Sequence, residues 1–201
     1  MESIDHIIYI NLDSRLDRRV EIEAEFARLQ IPADKITRFP AITHTDPGGG
    51  CNLSHAAVLR QAHAMNYSNV LVLEDDFNFC EDPQRVQEGL THFFATVSDW
   101  NAVQLTAGVY ESEPYDDLLN IARRTSNAAG YLVNAHLMLP LAETIENAAE
   151  PLSQTKAHWI YQNDVVWCKF MEDRRWFYFK ERLGYQRPSF SNLSGRFVDY
   201  R

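Results

Sequence analysis

The sequence predicts an α/β protein, a mainly parallel central sheet flanked by helices, formed as one domain of 201 residues. Two observations carry this expectation. A β-rich segment, a helical segment and a second β-rich segment follow one another between His6 and Phe39, the pattern of a βαβ unit. Further on, Val70-Leu71-Val72-Leu73 is a short aliphatic run typical of a strand buried on both faces, and it runs directly into Glu74-Asp75-Asp76. Ligands of open α/β sheets bind at the carboxyl ends of strands, so three acids stand where chemistry is expected.

Residues 6–12 are short and β-rich and read as the first strand. Asp13-Ser14 supplies a helix cap, with Asp17 three residues after Ser14 in a variant of the capping box. Leu16, Val20, Ala24, Phe26 and Ala27 fall near a helical stripe that ends close to Gln30, before Pro32. Ile36-Thr37-Arg38-Phe39 is the second strand. Residues 43–50 are the most loop-like stretch, because Asp46-Pro47-Gly48-Gly49-Gly50 is expected to hold no regular structure and to be mobile. Such a stretch is either a plain surface turn or a loop that orders over a ligand.

Residues 52–65 read as the next helix, leading into the 70–73 strand. Asp82 caps a helix with Pro83 at its first position, continuing to about Val97. Residues 102–105 are strand-like, whereas 111–120 are acidic and suggest no element. Residues 128–133 read as a strand, and Asn134 caps a helix that reaches about Ala149 and stops at Pro151. Asp164 caps a short helix through Met171, residues 176–179 form a late strand, and an irregular tail follows.

Composition narrows the function classes. Apolar content of 45% and charged content of 23% suit a soluble globular protein. The net charge of −9 argues against a nucleic-acid or anionic-membrane surface, which needs a basic face. No apolar segment approaches the roughly 18 residues of a membrane span, and the first residues lack the regions of a signal peptide. Cys51, Cys80 and Cys168 are odd in number, far apart and without metal-ligand spacing, and the histidines show no such spacing either. Reduced thiols in a cytoplasmic protein are expected, with the Asn-x-Ser sites at Asn52, Asn66 and Asn192 unused.

Three constellations offer chemistry. Glu74-Asp75-Asp76 repel one another unless a proton or cation compensates them. Mg²⁺ or Mn²⁺ would do so, sharing its remaining positions with phosphate oxygens; the alternative is an acidic turn capping the next helix. The segment from Asn11 to Arg19 joins a strand to a helix N-terminus and carries Arg15, Arg18 and Arg19, which suits a phosphate or simply forms a charged first turn. Asp164 lies in an uncharged, aromatic stretch with Trp159, Tyr161 and Trp167, where a raised pKa would make it a base. As a helix cap it needs no such role.

Taken in order, several blocks resemble glycosyltransferase family 25, which includes lipooligosaccharide and collagen galactosyltransferases. Ile10-Asn11-Leu12-Asp13 with Arg15, Asp17, Arg18 and Arg19 resembles its opening motif, Gly50-Cys51-Asn52-Leu53-Ser54-His55 its next block, and residues 70–76 its acidic strand end. Ala129-Gly130-Tyr131-Leu132-Val133, Asp164, Gln186 and Ser191-Asn192-Leu193 resemble the later blocks, although the family's last block reads Ser-Asp-Ile and the chain is short for the family.

The resemblance implies a GT-A-like nucleotide-binding sandwich that uses a UDP-sugar donor, Mn²⁺ (or Mg²⁺) and a glycan or glycoprotein acceptor. It implies that Asp76 coordinates the metal, that Asp75 lies near the donor ribose or the metal's water shell, and that Glu74 supports them. Asn11, Arg18, Thr43, Ser54 and His55 would surround the nucleotide. Asp164 would be the base of an inverting hexosyl transfer from UDP-galactose or UDP-glucose. The rivals are a nucleotidyl or phosphoryl transferase, disfavoured by the lack of Lys after Gly48-Gly49-Gly50-Cys51, and an inactive nucleotide-sugar-binding module.

Overall fold

The computed structural model describes residues 1–191 and 195–199. In chain order the elements are β1 (His6–Asn11), α1 (Leu16–Arg28), β2 (Ile36–Pro40), α2 (Pro47–Ala64), β3 (Asn69–Glu74), β4 (Phe77–Phe79) and α3 (Pro83–Thr96). There follow β5 (Ala102–Gln104), β6 (Gly108–Pro114), β7 (Leu119–Ser126), β8 (Gly130–Asn134), α4 (Ala135–Thr155), α5 (His158–Tyr161) and α6 (Asn163–Val166). The last are β9 (Trp176–Phe179), β10 (Gly184–Gln186), β11 (Ser189–Ser191) and β12 (Arg196–Val198). Among the described residues no helix is long and apolar enough to cross a membrane.

The main sheet has eight strands in the order β2-β1-β3-β8-β5-β9-β7-β6. The pairings orient β2, β1, β3, β5, β9 and β6 one way, with β8 and β7 opposed. The sheet is therefore mainly parallel in strand direction, as the sequence predicts, with antiparallel insertions. Alternating side chains feed two cores. Ile7 and Tyr9 of β1 and Leu71 and Leu73 of β3 pack with Ile22 and Phe26 of α1 and Phe93 of α3. On the other face Ile8, Ile10, Val70 and Val72 pack with Val58 and Leu59 of α2 and Leu141 and Ile145 of α4. Apolar residues on both faces explain why these strands read as unbroken aliphatic runs rather than alternating ones.

The chain crosses from β1 through α1 to β2 on one side, then through α2 back to β3 on the other side of β1. The crevice between the carboxyl ends of β1 and β3 is thus a topological switch point, where α/β sheets bind ligands.

Four local expectations are corrected. The stripe on α1 is largely out of phase: Phe26 is buried as expected, but Leu16, Val20, Ala24 and Ala27 are exposed, and Ile22 takes the other buried position. Its N-cap is Arg15, whose guanidinium has no acceptor to offer the free N–H groups and instead pairs with Asp17 at 2.7 Å. Pro151 does not end α4; Leu152, one residue beyond it, is fully buried, and packing of the last turn offsets a proline cost of about 3 kcal/mol. Residues 111–120 contribute to the β6–β7 edge hairpin.

The fourth correction concerns the glycines. Residues 47–50 are the first turn of α2, capped by Asp46, whose carboxylate accepts from the Gly49 N–H at 2.8 Å. The Asp46 carboxylate also pairs with Lys156 at 2.6 Å. A Cβ at Gly50 would stand 2.7 Å from the Ile42 carbonyl oxygen, and one at Gly48 would stand 2.8 Å from the His158 ring. These glycines allow close helix packing and form regular structure where none was expected.

Candidate functional site

A cavity of about 570 Å³ opens at the β1/β3 switch point, a size suited to a small-molecule ligand. Arg18, Thr43, Ser54, His55, Glu74, Asp75, Asp76 and Asp164 all line it. Residues from five separated stretches of sequence therefore meet in one place. Asn11 does not line the cavity. It is 1% exposed and sits behind the wall, donating from Nδ2 to Asp75 Oδ2 at 2.7 Å and accepting from Arg38 Nε at 3.0 Å.

The three acids do not form one ligand cluster. Glu74 faces α2, with its Oε1 3.2 Å from His55 Nε2. Asp75 and Asp76 face α1, where Arg18 Nη1 lies 2.9 Å from Asp75 Oδ1 and 3.1 Å from Asp76 Oδ2. Gln186 donates to Asp76 Oδ2 at 3.2 Å, and the Arg187 N–H donates to the Asp76 carbonyl at 2.7 Å. Both contacts follow from the pairing of β10 with β4, which sets Gln186 opposite Phe77. Among the described residues, Asp76 Oδ1 is buried with no hydrogen-bond partner. A buried carboxylate oxygen left open beside a cavity fits a hard divalent cation.

Electrostatics agree with that fit. Burial pushes the Asp76 carboxyl up to about 7, with further repulsion from Glu74, while Arg18 works against the shift. Burial also raises Asp75, opposed first by Arg18 and then by the Asn11 hydrogen bond. The raised proton affinity of Asp76 means that a divalent ion bound there would compete with a proton.

Asp164 is positioned from a different side. Its Oδ2 accepts from the backbone N–H of Asn127 at 2.8 Å, and its own N–H donates to Asn163 Oδ1 at 2.8 Å. Asn163 is in turn held by Asn52 of α2, whose Oδ1 accepts from the Asn163 N–H at 2.9 Å. Burial raises the Asp164 carboxyl, opposed by the Asn127 bond. The expected aromatic sheath is absent on one side, since Trp159 and Ile160 are exposed. Asp164 lies in the first turn of α6 rather than at its cap.

Thr43 is exposed at the cavity edge. Ser54 is already engaged: its Oγ donates to the Gly50 carbonyl at 2.7 Å and accepts from the Ile42 N–H at 2.8 Å, tying the Thr43 segment to α2. His55 Nδ1 lies 3.0 Å from the Tyr131 hydroxyl. The Asn192 and Leu193 part of the closing block lies outside the described residues.

Sequence reasoning gave no role to several neighbours of the candidate site residues. Asn127, Asn52 and Arg38 act through contacts separated by 37, 111 and 27 positions, so no local pattern marks them. Asn127 does carry a weak signal: it holds φ at 77°, a left-handed turn that asparagine tolerates. Cys51 and His55 also group with Glu74 despite showing no metal spacing by motif; their separation of four residues on one helix was the legible clue.

No family model matches the sequence, and no curated protein does. Among solved structures, the chain is similar to a glycosyltransferase involved in glycosylation of the major capsid of PBCV-1. The TM-score is 0.54 at 10% identity, over 86% of this chain and 80% of that one. It is also similar to galactosyltransferase LgtC in complex with donor and acceptor sugar analogues (TM-score 0.45, 14% identity, 86% and 72% covered). A third is mannose-1-phosphate geranyltransferase from Thermus thermophilus (TM-score 0.46, 12% identity, 96% and 74% covered). The last two, with TM-scores under 0.5, add nothing to the assignment. What the first likeness establishes is the fold: this chain has a GT-A-like α/β architecture.

Proposed function

We propose that the chain is a metal-dependent glycosyltransferase of the family 25 type. In this reading it moves a hexose, galactose or glucose, from a UDP-sugar to a glycan or glycoprotein hydroxyl with inversion, acting in the cytoplasm as a single catalytic domain. One observation carries the reading most: Asp76, whose buried Oδ1 has no partner among the described residues, and Asp164, held by Asn127, face the same switch-point cavity from opposite elements. The blocks resembling family 25 and the shared fold support it.

Asp76 would hold Mn²⁺ or Mg²⁺ through its open oxygen, with Asp75 beside it. The bound ion supplies charge neutralisation for the departing diphosphate. Arg18, next to both acids, is placed to turn toward donor phosphate oxygens once the carboxylates are otherwise compensated. Asp164 takes the proton of the acceptor hydroxyl as that oxygen bonds to the anomeric carbon, and the bond from that carbon to the diphosphate breaks, its electron pair leaving with UDP. A carboxylate whose affinity for protons is raised by burial is suited to this general-base role.

Calorimetric titration with UDP-galactose, UDP-glucose, CDP and ATP, with and without Mn²⁺, tests the proposal. Metal-dependent binding of a UDP-sugar that is lost in Asp76→Asn is expected. Tight binding of ATP alone, or UDP-sugar binding indifferent to both metal and Asp76, overturns it. Binding without transfer or slow donor hydrolysis identifies the chain as an inactive nucleotide-sugar module.

A further inference from the structure

A separate set of metal-ligating side chains lies on the α2 side of the cavity. Cys51 and His55 stand one turn apart on α2, and Glu74 reaches toward them from the end of β3. Glu74 Oε1 is 3.2 Å from His55 Nε2 and 4.0 Å from Cys51 Sγ. One ligand atom from each of the three residues falls within 4.8 Å of the others. Ligand atoms of a tetrahedral zinc ion, at bond lengths of about 2.0–2.3 Å, lie about 3.3–3.8 Å apart. Modest side-chain movement therefore converts this cluster into a coordination shell.

Observations outside the cluster point the same way. His55 is 1% exposed, and its Nδ1 lies 3.0 Å from the hydroxyl of the buried Tyr131. A partner on the far nitrogen that fixes ring orientation is the usual outer contact of a metal-bound imidazole. Asn163 Nδ2 donates to Cys51 Sγ at 3.9 Å, a contact available to a metal-bound thiolate, whereas burial and the neighbouring Glu74 keep the thiol protonated without an ion. All three ligands line the cavity, so a fourth position would open into it. Thiolate, imidazole and carboxylate together select a borderline-soft ion, unlike the oxygen set of Asp75 and Asp76.

We propose that Cys51, His55 and Glu74 form a zinc site with one open coordination position facing the cavity. Binding replaces the Cys51 S–H bond with a sulfur–zinc bond and releases that proton to solvent. On binding, the neutral imidazole takes the tautomer with its proton on Nδ1, facing the Tyr131 oxygen as acceptor. The Nε2 proton that faces Glu74 in the metal-free chain is given up, and the Nε2 lone pair goes to the ion. The site stands whether or not the chain transfers a sugar.

Titration of the reduced full chain with Co²⁺ tests this. One equivalent should produce a thiolate-to-cobalt charge-transfer band that Zn²⁺ abolishes and Mn²⁺ does not. The band should vanish in Cys51→Ser, persist in Cys168→Ser and Asp76→Asn, and require about 10–100-fold more metal in Tyr131→Phe. No band in the wild type, or one that survives Cys51→Ser, overturns the proposal. Should Cys51→Ser fail to fold, X-ray absorption of the wild type with one equivalent of Zn²⁺ decides: a sulfur and nitrogen shell upholds the site, and a shell of oxygens alone overturns it.

Discussion

Arg18 and Asp75 form a short ion pair, Nη1 to Oδ1 at 2.9 Å, with side chains only 11% and 9% exposed. The same nitrogen reaches Asp76 Oδ2 at 3.1 Å. One guanidinium thus neutralises two buried carboxylates at the mouth of the β1/β3 crevice. Removing it leaves two charges with poor solvation, a far larger effect than loss of a surface pair.

Arg18→Met is therefore expected to destabilise the metal-free chain by about 3 kcal/mol or more. Added Mn²⁺ should recover much of that loss, because a divalent ion compensates the same acids. Thermal unfolding with and without Mn²⁺ measures both effects; a variant as stable as the wild type would show that the pair contributes nothing.

The raised Asp76 pKa sets a pH dependence. Asp76 titrates near 3.8 when unfolded and at about 7 when folded, so the folded state holds this proton more tightly. Stability from this group is full below about 3.8, declines as the pH rises, and is lost at about 7. The metal-free chain should accordingly lose stability across that window, and Asp76→Asn should flatten the loss. Mn²⁺ affinity should rise over the same window as the competing proton leaves. Denaturant midpoints at a series of pH values, with matched Mn²⁺ titrations, measure the three trends.

Gly50→Ala separates close packing from mobility. The added methyl meets the Ile42 carbonyl oxygen at 2.7 Å, a backbone atom that cannot swing aside. A loss of about 1–3 kcal/mol is expected, together with weaker ligand binding, because Ile42 precedes cavity-lining Thr43. A mobile turn would instead tolerate or favour alanine, and chemical denaturation distinguishes the two.

Asp164→Asn should leave donor affinity within about two-fold and slow transfer by about 10²–10⁴-fold, the usual contribution of a general base. Donor titration and single-turnover rates measured on one preparation test the split. Weakened donor affinity with an unchanged rate would remove Asp164 from the base role.

Much of the frame is legible in the chain. Val70-Leu71-Val72-Leu73 announces a strand covered on both faces because its burial needs no information beyond its own side chains. Asp82-Pro83 marks a helix start for an equally local reason, and the Asp82 side chain does accept from the Gln84 N–H at 2.9 Å. The phase of α1 is not legible in the same way, since Leu16 and Val20 look as apolar as Ile22 and Phe26, and the sheet chooses which are covered. Pro151 misleads because the burial of Leu152 is a tertiary gain.

The sequence by itself determined the strand-helix alternation, the acidic end of β3 and the candidate residues around it, because periodicity and local charge are properties of short segments. Only the tertiary structure decided what those residues do to one another. It divided Glu74 from Asp75 and Asp76, gave the first to His55 and the other two to Arg18, and moved Asn11 behind the cavity wall. It also brought Asn127 to Asp164 across 37 positions. Those outcomes depend on strand order and crossover direction, and side-chain contacts between distant segments exist only once the sheet has been assembled.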